Sequence, residues 1–311
     1  MNIIKNKLKI VIVIILILLI ILIYRLSYIE YENFELNNTG ESKIAFLFLT
    51  YNNLKRPDIW NNFFGIDGNN KSKYSDKYTI YNHAKESDKV TDILLKDKHI
   101  PEHIETCWGC FGTVEANILM MKEALKDPMN KKFILVSDSC IPIVSYDTFY
   151  NELMKDDKSR INIHNVNDLI HRYDNIINPD FPKDEFTIHN AQGLTFNRYH
   201  STLLVNSLLK YKNKWINVLN VDEHYFGNTL RILDSNFNDA ICIDKPAFDI
   251  WAKNILDKSK IDYNNDIITD SYINIKKLSN NAIDEIRDKK FLLVRKIDKD
   301  TDIDAKYILR N

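Results

Sequence analysis

Two short apolar runs, Lys43–Thr50 (KIAFLFLT) and residues 132–137 (KFILVS), end abruptly in Tyr51-Asn52-Asn53 and Asp138-Ser139-Cys140. Runs this short and unbroken read as strands buried on both faces, the pattern of a sheet covered by helices. Residues 77–83 (KYTIYNH) and 291–297 (FLLVRKI) are further strand candidates. Val114, Ile118, Met121 and Leu125 recur at helical spacing, and Asp127-Pro128 closes that helix. Residues 195–212 and 222–233 also carry helical spacing. Strands separated by helices predict an α/β fold with a mostly parallel sheet, and ligands then sit beyond the strands' carboxyl ends. Tyr51, Asn52, His83 and Asp138 are thus expected around one crevice.

Composition excludes several functions. Forty-two basic residues against 43 acidic give a net charge of -1, so no electrostatic surplus points to nucleic acid. The seven glycines form neither G-x-G-x-x-G nor G-x-x-x-x-G-K-[ST], which argues against a dinucleotide enzyme or a P-loop NTPase.

Residues 10–24 are an unbroken apolar run preceded by Lys5, Lys7 and Lys9. As a helix the run covers about 22 Å, and Leu8 and Leu26 extend it toward a hydrocarbon core of about 30 Å. Small residues for signal cleavage are scarce beyond it, so an uncleaved signal anchor through residues 8–26 is expected. The lysines before it and Glu30, Glu32 and Glu35 after it put the N-terminus in the cytosol. A type II topology follows, with the body lumenal (Golgi- or ER-like) or extracellular. The expected organisation is anchor at 1–24, stem at 25–42 and a catalytic domain at 43–311. Asn37 and Asn70 stand in weak N-glycosylation triplets.

Cys107-Trp108-Gly109-Cys110 has the spacing of a redox pair or half a zinc site. Zinc needs about four ligands, and no second thiol or histidine pair accompanies it. A disulfide or simple burial fits better with a lumenal body.

Four segments in order resemble the core-2/I-branching glycosyltransferase family, especially its plant-type branch: residues 108–116 (WGCFGTVEA), 133–143 (FILVSDSCIPI), 221–226 (VDEHYF) and 291–297 (FLLVRKI). Residues 192–198 (QGLTFNR) are similar to a weaker family segment ending in arginine. The resemblance implies a GT-A-like fold on a type II anchor. It also implies inverting transfer of a sugar, such as N-acetylglucosamine or xylose, from a UDP-sugar to a glycan or glycoprotein hydroxyl, with no metal and no other cofactor.

Inverting transfer needs a base for the acceptor hydroxyl and positive charge for the departing diphosphate. The resemblance places the base at Glu223, with Asp222 as a helix cap and His224 as the alternative on pKa grounds. It places Arg295 and Lys296 on the diphosphate, as an alternative to a solvated strand edge. Adjacent strand residues point to opposite faces, so both reach the phosphates only where the strand has ended or bent. Asp138 alone follows its strand where metal-using relatives carry Asp-x-Asp, so no metal is expected. His83-Ala84-Lys85 lacks the carboxylate that the family carries two residues after its histidine. Arg198 and Trp251 are the acceptor-side candidates. Two other readings are a membrane-anchored carbohydrate-binding protein without turnover, and a metal hydrolase for which no H-x-H or H-E-x-x-H spacing is present.

Overall fold

The computed structural model describes Arg25 and residues 40–164, 186–218, 220–242, 247–248, 257, 259–262, 265–269 and 274–310. The chain divides into two compact units, residues 1–41 and 42–311. Nearly all of the first unit lies outside the described residues.

The second unit runs β1 (Lys43–Thr50), α1 (Pro57–Phe63), β2 (Tyr78–Ala84), α2 (Phe111–Ala124), β3 (Asn130–Ser137), β4 (Ile141–Pro142), α3 (Tyr146–Met154), β5 (Ser159–Arg160), β6 (Ile163–His164), β7 (Ile188–His189), β8 (Thr195–Asn197) and α4 (Arg198–Trp215). It continues through α5 (Tyr225–Leu233), α6 (Phe237–Ala240), β9 (Ile241–Cys242), β10 (Ala247–Phe248), β11 (Ile267–Thr269), β12 (Ile275–Leu278), α7 (Asn280–Asp288), β13 (Leu293–Val294) and β14 (Ile297–Asp302). The principal sheet has the order β2-β1-β3-β8-β5-β9. Strand β1 pairs in parallel with β2 and β3, placing Phe46 beside Ile80 and Ile134.

Alternation along β1 sends its residues into two cores. Phe46 and Phe48 pack with Trp60 and Phe63 of α1 and Phe149 of α3, whereas Ala45 and Leu47 join Val114 and Ile118 of α2 and Leu204 of α4. Both faces being covered explains why β1 and β3 read as continuous apolar runs.

Three expectations are corrected. The sheet is mixed, because β8 runs antiparallel to both β3 and β5. Residues 195–197 are this buried strand, and α4 starts only at Arg198, where the Asn197 side chain accepts the His200 N–H at 2.8 Å. The N-terminal transmembrane helix, and with it the signal-anchor, type II and lumenal or extracellular placements and the membrane as a partner, is not supported: among the described residues no helix is long and apolar enough to cross a membrane. Residues 10–24, on which that expectation rested, lie outside the described residues.

Candidate active site

The carboxyl ends of β1 and β3 are tied together by their polar tips. The Tyr51 N–H donates to the Asp138 carboxylate at 3.1 Å, and the Lys55 N–H donates to the Asp138 carbonyl at 2.9 Å. Burial pushes the Asp138 carboxyl above its ordinary value, while the Tyr51 N–H and the charges of Lys55 and Arg295 pull it back. The Trp60 indole N–H donates to the Cys140 carbonyl at 2.9 Å, fixing the turn that carries Asp138 against α1.

Glu86 also reaches this tip, and the sequence reading missed it. Its carboxylate accepts from the Tyr51 hydroxyl at 3.3 Å, the Asn52 amide at 3.2 Å and Lys89 Nζ at 2.9 Å. The Lys89 hydrogen bond is the main reason its pKa is lowered. A carboxylate thus stands one residue after Lys85, engaged by Tyr51, Asn52 and Lys89.

Arg295 and Lys296 lie between two strands. Strand β13 ends at Val294 after pairing antiparallel with β4, and β14 starts at Ile297. The pair is thus outside the alternation that would send adjacent strand residues to opposite faces. Ile297 N–H donates to the Ser139 carbonyl at 2.8 Å, which seats this junction against the Asp138 turn. The buried Arg295 Nε has no hydrogen-bond partner among the described residues. Buried polar atoms are ordinarily hydrogen-bonded, so an unpartnered guanidinium nitrogen stands out here.

At the end of β2, His83 is buried and its ring stacks on His103 with centroids 4.8 Å apart. Burial, with His103 adding to it, lowers its pKa to about 4, so the ring is neutral near pH 7. His83 Nε2 accepts the Ile104 N–H at 3.2 Å, leaving the ring proton on Nδ1, which is buried and has no partner among the described residues. A cavity of about 380 Å³ opens here, lined by Asn82, His83, His99 and His103 among others. Among the described residues, no three His, Cys, Asp or Glu side chains are grouped to hold a metal ion.

The acidic segment is not a helix start. Asn220, at φ +52°, leads into a single 3-10 turn, Val221–Glu223, and α5 begins only at Tyr225. Asp222 is therefore not the cap of α5; His224 occupies that position, buried, with its carbonyl holding the Asn228 side chain at 2.6 Å. Asp222 and Glu223 are half-buried. The turn rests on the Cys107–Cys110 loop, which is closed by a disulfide, and the Val221 N–H donates to the Gly109 carbonyl at 3.4 Å.

Tyr51, Asn52, Asp138 and Arg295 are brought together. Arg198 is not: its guanidinium donates to the carbonyls of Leu125, Asp127 and Asn130, beside the opposite end of β3. Trp251 lies outside the described residues.

The family model described as Core-2/I-Branching enzyme matches residues 44–246. The chain belongs to this family. It is also similar to Glycosyltransferase BC10 of Oryza sativa subsp. japonica, 25% identical over 171 residues, which is 53% of this chain and 41% of the rice protein. The chain thus matches less than half of that relative's length. The core-2/I-branching match includes Tyr51, Asn52, His83, Asp138 and Glu223 and ends before Arg295 and Lys296.

Proposed function

We propose that this core-2/I-branching chain is a metal-independent inverting glycosyltransferase that uses a UDP-sugar and a glycan or glycoprotein hydroxyl. The observation that carries the reading is the placement of Arg295, with its orphaned Nε, against the Asp138 turn at the carboxyl end of the sheet. That is where a doubly wound sheet holds its ligand.

In this reading Arg295 and Lys296 bind the diphosphate and stabilise the charge that builds as the bond from the anomeric carbon to the diphosphate oxygen breaks. Glu223 takes the proton from the acceptor hydroxyl while that oxygen forms the new bond on the opposite face of the sugar. UDP leaves with the bonding electron pair, and the anomeric configuration inverts. Asp138 and Glu86 hold the Tyr51–Asn52 tip against the donor, and the His83 Nδ1–H faces the nucleoside. Lys55 and Arg295 beside Asp138 supply positive charge where related chemistry uses a divalent ion.

The test is a hydrolysis screen of UDP-sugars with the full chain in excess EDTA. The reading expects UDP release from at least one donor at a rate unchanged by chelation. Activity abolished by EDTA and restored by manganese would contradict the assignment of the charge to Arg295 and Lys296.

A further inference from the structure

Trp108 is 86% exposed, whereas Trp60 and Trp215 are fully buried. Its loop is unusually constrained for one that presents an indole to solvent. Cys107 and Cys110 close it as a disulfide. Gly109 sits at φ +66°, and a Cβ there would lie 2.7 Å from Asn220 Oδ1 and 3.2 Å from Asn220 N. The Cys110 carbonyl accepts the Thr113 hydroxyl at 2.7 Å, fastening the loop to the first turn of α2. Trp108 is therefore one residue from a close contact with Asn220, and Glu223 is three residues from the same contact.

We propose that Trp108 is the platform on which the acceptor sugar stacks, a reading that rests on the transferase function above. An indole face is apolar and electron-rich, and a pyranose ring offers polarised C–H bonds on one face. The surroundings fit one sugar ring better than a protein partner. The exposed residues just before it in sequence, Glu102, His103 and Glu105, are polar, and a single exposed indole falls far short of the roughly 1,200 Å² of a stable protein interface. A loop backbone already fixed by the disulfide and the Gly109–Asn220 contact removes part of the ordering cost from binding. Because the loop and the Glu223 turn share the Gly109–Asn220 contact, a ring stacked on Trp108 is held in register with the base.

The experiment titrates methyl β-galactoside, methyl N-acetyl-β-glucosaminide and methyl β-xyloside into the wild-type chain, Trp108→Ala and Trp108→Phe, with binding read by ligand-observed NMR. Melting temperatures check that the variants fold, and UDP is titrated separately into the wild type. The expected result is a glycoside that binds the wild type, binds Trp108→Ala at least 10-fold more weakly, and is recovered to within about 3-fold by Trp108→Phe. Equal binding by folded Trp108→Ala, or no glycoside bound by the wild type, overturns the platform. A wild-type chain that binds a glycoside through Trp108 but binds no UDP leaves the platform standing and removes the transferase reading instead.

Discussion

The Tyr51 N–H and the Asp138 carboxylate, 87 residues apart in sequence, meet at 3.1 Å across the ends of β1 and β3. The bond holds the β1 tip in the crevice proposed for the donor. Asp138→Ala removes the acceptor of a solvent-accessible Tyr51 N–H, so the fold should lose about 0.5–1.5 kcal/mol. Denaturant unfolding checks the loss, and UDP titration should show weaker binding. Asp138→Asn keeps an acceptor and should recover most of the stability.

Arg295→Ala removes the guanidinium proposed for the diphosphate. UDP affinity should fall about 10- to 150-fold, the equivalent of roughly 1.5–3 kcal/mol for a charged hydrogen bond. Calorimetric titration with UDP measures it. Unchanged affinity in the Arg295→Ala/Lys296→Ala double variant would return both residues to a structural role.

Local pattern carried the part of the fold that is buried on both faces. Strands β1 and β3 and helix α2 were legible because their apolar spacing directly reflects two covered cores. Strand β8 was not, since three buried residues run straight into a helix and their apolar character merges with its spacing. The meeting of the strand tips was legible where a polar residue follows an apolar run, as at Tyr51 and Asp138. Glu86 was hidden because its partners Tyr51 and Asn52 lie 35 and 34 residues away, beyond any local pattern. The seat of Arg295 depends on the pairing of β13 with β4, contacts that a single strand's sequence does not record. Arg198 was singled out by the family-like segment it ends, but its guanidinium is held by three main-chain carbonyls.

Gly112 lies in the first turn of α2, where alanine would ordinarily favour the helix by about 1 kcal/mol. Here a Cβ would stand 2.3 Å from the Glu105 carbonyl oxygen, a backbone atom that cannot swing away. Gly112→Ala should therefore destabilise the protein by roughly 1–3 kcal/mol, the cost of overpacking. At Gly68 a Cβ would meet nothing within 4 Å, so Gly68→Ala should stay within about 0.5 kcal/mol of wild type. Thermal melts of the two variants check the contrast.

Stability should decline in mild acid. His83 has its pKa lowered to about 4 against an ordinary 6.5, so between those values the unfolded chain binds a proton that the folded chain refuses. This contribution is complete above about pH 6.5 and is lost as pH falls toward 4, at up to about 1.4 kcal/mol per pH unit. His200, buried and hydrogen-bonded to Ser159 and Asp234, is shifted in the same direction by burial and adds to the slope. Denaturant unfolding from pH 7.5 to 4.5 measures it, and His83→Gln should reduce the slope by about one proton. An unchanged slope in that variant would show that His83 is not the group responsible.

Turnover of Glu223→Gln tests the account most directly, read with the UDP-sugar that the wild-type chain cleaves and with UDP affinity as the control for an intact donor site. Glutamine keeps the shape of the side chain but cannot accept the proton. Turnover should fall about 10²- to 10⁴-fold with UDP affinity retained. Near-native turnover in a folded Glu223→Gln variant would contradict it and pass the base to His224 or Asp222.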